Sequence, residues 1–167
     1  MTQRQGERYR VGAVLLLLVV LHFGLRPFLG DPRWAPDFLL LALLVYAIRS
    51  RPGSAAIAGF LVGLVGDSLS PVAFGAGALA HALVGYLAAW GKAVFFAENV
   101  VVSAGFFFTG AWLRDLLVLL AGRHVQGSLL GWQILFWSPL KALTTALAGG
   151  LVLLVFRRWL HVRIGDV

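Results

Sequence analysis

Six apolar stretches, parted only by short polar or Gly- and Pro-bearing connections, leave this 167-residue chain few ways to fold. They lie at about 11–29, 36–48, 54–69, 72–90, 96–121 and 132–156. The longest connection is about ten residues, 122–131, so no region outside them is large enough to bury a core of its own. Composition agrees: 60% of residues are hydrophobic and 13% charged, with a mean hydropathy of +0.88. A soluble globular chain carries about 25% charged residues. The expected fold class is therefore an all-α integral membrane protein, a six-transmembrane-helix bundle forming one polytopic domain over residues 1–167.

The second stretch is short. A span takes roughly 20 residues, with about 17 as the lower limit. Residues 36–48 reach only about 20 Å at 1.5 Å per residue. Five spans and a re-entrant segment is the alternative. The first stretch could be mistaken for a secretory leader, because Arg4, Arg8 and Arg10 precede it. No small-residue cleavage site follows, so an uncleaved first helix is expected.

Lys and Arg set the topology. With six spans, the side holding both termini carries Arg4, Arg8, Arg10, Arg49, Arg51, Lys92, Arg157, Arg158 and Arg163. The other side carries Arg26, Arg33 and Arg123. The richer side belongs in the cytoplasm, giving a multi-pass protein of a cytoplasmic membrane with both termini inside. The net charge of +7 is then a property of the loops and does not call for nucleic acid. Trp34, Trp90, Trp132 and Trp159 fall near span ends, where amphipathic rings settle.

Few residues within the stretches could do chemistry. Pro36 and Asp37 open the second, where Pro suits a first helical turn and Asp the positive end of the helix dipole. A contact between Asp37 and a partner is the other reading. In the third, Ala55, Gly59, Gly63 and Asp67 recur every four residues and share one face; in the fourth, Gly77, His81, Gly85 and Ala89 do the same. Small residues at this spacing let helices approach closely in lipid, within the chain or with another chain. His81 on such a face reads as an interhelical hydrogen-bonding group. Arg114, Asp115 and Lys141 are ionisable groups inside the fifth and sixth stretches. Counted from the outer boundary, His81, Asp115 and Lys141 lie about 9–15 Å deep. We expect an outer-leaflet polar cluster of His81, Arg114, Asp115 and Lys141, since pairing lowers the cost of burial. Separate snorkelling of the long side chains is the alternative.

Reactive constellations are missing. There is no cysteine, no zincin or nucleophile-elbow motif, and no phosphate loop, so no enzyme, metal or cofactor is expected. Asp67, Glu98 and Asp115 are too few and scattered for a proton relay.

The run Pro36-Asp37-Phe38, the segment Gly59-Phe60-Leu61-Val62-Gly63 ending at Asp67, and the segment Gly75-Ala76-Gly77 leading to His81, Gly85 and Tyr86 resemble the rod shape-determining protein MreD family. The likeness is strongest over 36–87; elsewhere it rests on length, span number, topology and the basic Arg157-Arg158-Trp159 tail. Gly66 is a departure, because relatives often carry a larger residue there. The resemblance implies a non-enzymatic scaffold of the bacterial cell-elongation machinery that supports side-wall peptidoglycan synthesis. It implies binding to the transmembrane helix of MreC, and through it to MreB, RodA and a class B penicillin-binding protein. It also implies a fold similar to the substrate-binding subunits of energy-coupling-factor transporters. That likeness supplies the alternative function, a vitamin-binding subunit of such a transporter. The glycine stripes at Gly59/Gly63 and Gly77/Gly85 are candidates for the MreC groove or for a homodimer seam.

Overall fold

The computed structural model describes residues 3–68, 74–95, 100–122 and 128–156, and among them every regular element is helical. Helix α1 spans Gln3–Gly24 and is followed by a 3-10 turn, Arg26–Phe28. Then come α2 (Phe38–Ala47), α3 (Pro52–Ser68), α4 (Ala76–Phe95) and α5 (Val100–Gly122). Helix α6 (Ser128–Trp132), a π-helical turn (Gln133–Trp137) and α7 (Ser138–Val155) run on as one rod. Two stretches, Val101–Ala121 and Leu129–Val155, are long and apolar enough to cross a membrane. The other apolar helices are shorter.

The short second stretch is the hub. Nine of the ten residues of α2 are buried, and it touches α1, α3, α4, α5 and α7. A helix apolar all round is one enclosed by its neighbours. At about 15 Å long, α2 spans only the middle of the bundle. Val14, Leu18 and His22 recur every four residues on α1 and are all buried, which lays that stripe along α2. On α5, Phe107, Ala111 and Asp115 do the same. Gly149 of α7 leaves room for the Phe107 ring, which a Cβ there would strike.

Helices α3 and α4 form the closest pair, and glycine makes the approach possible. A Cβ on Gly59 would run into the His81 carbonyl, and one on Gly63 into the Ala78 backbone. A Cβ on Gly85 would come within 2.6 Å of the Ala55 carbonyl oxygen. The two glycine stripes therefore face each other. They are not an exposed groove or seam, as the sequence alone allowed, because each closes on the other's backbone. The turn between the helices depends on Gly75, whose φ of +95° suits glycine.

Several boundaries differ from the sequence expectation. Pro36 lies before the α2 N-cap and not in its first turn, because Asp37 takes the cap. Helix α1 begins earlier than residue 11, since Gln, Arg and Glu prolong a helix well. Helix α4 runs past residue 90, because Gly91 costs a helix only about 1 kcal/mol and cannot end it. The π-turn sits just ahead of Pro139, whose ring clashes with the carbonyl four residues back and whose nitrogen carries no hydrogen. The backbone amide of Ser138 donates to the Gln133 carbonyl, five residues back. Trp159 and the rest of the basic tail lie outside the described residues.

Gly59→Ala and Gly63→Ala should each lower stability by about 1–3 kcal/mol, the usual cost of overpacking. Gly66→Ala, where a Cβ meets nothing within 4 Å, should be neutral or slightly stabilising. Thermal unfolding of the purified variants in one detergent separates the two classes.

Candidate functional site

The polar side chains gather at the end of the bundle where α2 begins. A helix start leaves its first amides unpaired, and a buried one must find acceptors. Asp37 Oδ1 accepts from the Leu40 amide at 3.1 Å, and His22 Nδ1 accepts from the Leu39 amide at 3.2 Å. The Asp37 amide in turn donates to Thr145 Oγ1 at 3.1 Å, and Thr145 donates to the Lys141 carbonyl at 2.7 Å. Thr144 donates to the Trp34 carbonyl at 2.6 Å, tying α7 to the segment that enters α2.

Asp37 is buried, and its charge is answered from α5. Arg114 Nη1 stands 3.9 Å from Asp37 Oδ2 and 3.0 Å from Asp115 Oδ1. Asp115 also accepts from Lys141 Nζ at 2.9 Å and from Ser138 Oγ at 3.0 Å. Two carboxylates and two cations thus form a balanced set of four, which is how buried charge is tolerated.

His81 is buried on α4, and its Nδ1 donates to the Gly77 carbonyl at 2.8 Å. A carbonyl only accepts, so Nδ1 carries the hydrogen and Nε2 is left an acceptor. Asp67 reaches from the end of α3 to the first turn of α4, where its Oδ2 accepts from the Gly75 and Ala78 amides at 2.8 and 3.0 Å. Gly77 admits that carboxylate, because a Cβ there would collide with it.

These groups surround a cavity of about 540 Å³. Its wall includes His22, Asp37, His81, Arg114, Asp115 and Lys141, with Arg26, Arg33 and Asp67 around them. Of the expected cluster, Arg114, Asp115 and Lys141 are in direct contact. His81 lines the same cavity, but its hydrogen bond is to its own helix.

The family model for the rod shape-determining protein MreD matches residues 7–161, nearly the whole chain. The chain belongs to the MreD family. No curated protein and no solved structure matches it. MreD proteins are membrane proteins that act in rod-shape determination. The match lends no support to the vitamin-transport alternative. Among the described residues of this MreD-family chain, no group of three His, Cys, Asp or Glu side chains could hold a metal ion.

Sequence reasoning placed Asp37 at a helix start but not in the charged set, and it passed over His22, Ser138 and Thr145. His22 had one signal, the lone polar side chain between Val11 and Gly24, four residues beyond Leu18 on the α1 stripe. Ser138 and Thr145 flank Lys141 at three and four residues and share its face.

Lys141→Met should destabilise the protein by about 3–5 kcal/mol, the cost of stranding one member of a buried pair. The double variant Lys141→Met/Asp115→Asn should recover part of that loss. A double-mutant cycle in thermal unfolding measures the coupling, and additive effects would contradict the network.

Proposed function

We propose that this chain is a polytopic, non-enzymatic membrane scaffold of the bacterial cell-elongation complex. Six helices would cross the cytoplasmic membrane with both termini inside, as a single domain. The fold would be similar to that of energy-coupling-factor substrate-binding subunits. The observation that carries the reading is the family match over residues 7–161. Its direct partner would be the single transmembrane helix of MreC, with MreB, RodA and a class B penicillin-binding protein reached indirectly. Seating that helix would position MreC and bias its conformation on the outer side.

The glycine stripes are spent between α3 and α4, so the groove must lie elsewhere. A shallow apolar cleft of about 100 Å³ between α4 and α5 offers one. Leu44 and Ala88 form its floor, and Leu87, Phe106, Thr109 and Leu113 its sides. Leu87 and Thr109 are exposed at the rim, where a partner helix would touch them first. Helix association in lipid comes from close packing, and the small residues Ala88 and Gly110 in this cleft allow it.

Thr109→Trp should fill the cleft without disturbing the core, since its side chain is exposed. Co-purification of MreC with the tagged protein should fall roughly tenfold, as a packing loss of about 1.4 kcal/mol would give. Unchanged recovery of MreC, together with crosslinks from another face, would move the interface off this cleft.

A further inference from the structure

The cavity at the α2 end holds more positive charge than the buried network accounts for. Four cationic side chains line it, Arg26, Arg33, Arg114 and Lys141, against three carboxylates. All three carboxylates are committed. Asp37 caps α2, Asp115 holds Lys141, Arg114 and Ser138, and Asp67 caps α4. Among the described residues, neither the Arg26 nor the Arg33 guanidinium has a carboxylate within 4 Å; Asp31 accepts from the Arg33 backbone amide at 2.8 Å. The side-chain contact of Arg26 is a long 3.5 Å approach to His22 Nε2, and the Arg33 guanidinium lies 5.5 Å from the Trp137 ring centre. The Nε atoms of Arg26 and Arg114 are both buried without a protein hydrogen-bond partner. Buried donors of this kind ordinarily have an acceptor.

A second cavity of about 420 Å³ adjoins the first. The two share His22, Arg26 and Pro32, and the second is otherwise lined by Phe23, Pro27 and Gly30. Arg26 thus stands where a cationic chamber meets an apolar cleft on the flank of α1.

We propose that this chamber binds a phosphate group, held by Arg26 and Arg33 with Arg114 beneath. Guanidinium forks match phosphate oxygens two at a time, and a phosphate has acceptors enough for donors converging from several elements. The adjoining cleft suits the hydrocarbon part of a phosphate-bearing amphiphile, with its headgroup in the chamber. A free phosphate in the chamber would use the same chemistry. The inference rests on the chamber and the membrane setting alone, and stands apart from the MreC reading.

The test is native mass spectrometry of the full chain in detergent, with dioleoyl phosphatidic acid, uncharged dioleoylglycerol or inorganic phosphate added. Wild type should retain phosphatidic acid in preference to dioleoylglycerol. Arg26→Gln and Arg33→Gln should each weaken retention roughly tenfold, the loss expected for one charge-assisted hydrogen bond. Arg33 is exposed, so its variant keeps the fold. Arg10→Gln, an exposed change on α1 away from the chamber, should have no effect. Arginine-dependent retention of inorganic phosphate, with no gain from the acyl chains, would support the site and identify a soluble ligand. Equal retention of phosphatidic acid and dioleoylglycerol by wild type would overturn the proposal. So would variants at Arg26 and Arg33 that bind as wild type does, or an equal loss in Arg10→Gln.

Discussion

The first turn of α2 begins inside the bundle, and its buried amides must find acceptors. That single constraint orders the polar chemistry at this end of the molecule. The Leu39 and Leu40 amides need acceptors, and His22 and Asp37 supply them. Placing a carboxylate there brings in a charge that must be balanced, and Arg114 approaches from α5. Arg114 also meets Asp115, and Asp115 engages Lys141 and Ser138 on α7. A short central helix thus requires a cap, the cap a cation, and the cation a second ion pair. In this way α1, α2, α5 and α7 are tied at one level by hydrogen bonds that depend on one another.

The α3–α4 pair is built on a different principle. Backbone meets backbone across Gly59, Gly63 and Gly85, so the contact is dispersion packing with little polar content. Asp67 is the exception, and it acts at the turn, where the α4 amides would otherwise be unpaired. Because the stripes are used up inside the chain, the outward faces of these helices present large apolar side chains instead. Ile57, Leu61 and Val65 on α3 and Leu79, Leu83 and Trp90 on α4 are all exposed. Those faces suit lipid or a partner helix.

Much of this was readable from the residues. Apolar stretches parted by charged, Gly- and Pro-bearing connections located the helices, and depth counting from the span ends brought Asp115 and Lys141 to one level before any contact was known. The same counting missed Asp37. It took the start of the second stretch as a point on the outer face, when the Asp37 cap is buried beside α1, α5 and α7. His22 was hidden for a related reason. One histidine near a span end looks like an interfacial residue until the helix it caps is known to start beside it. Pro36 was placed a residue or two too far into the helix, because Pro and Asp can each mark a helix start and only geometry shows which takes the cap. Asp67 looked like part of a packing stripe, since the i+4 spacing that builds a stripe also brings the last residue of a helix over the next turn. Side-chain reach, which spacing does not encode, decided each of these cases.

The division of charge at the α2 end separates what holds the fold from what remains available. Asp37, Asp115, Arg114 and Lys141 compensate one another, so their presence follows from burial alone. Arg26 and Arg33 are not needed for that balance, and among the described residues neither guanidinium is paired with a carboxylate. Uncompensated guanidinium charge beside an apolar cleft is unfavourable in a protein that only has to fold, since the same positions filled by Gln or Leu would bring no like charges near Arg114 and Lys141. Residues that work against the local electrostatics are better explained by something outside the chain than by the chain itself.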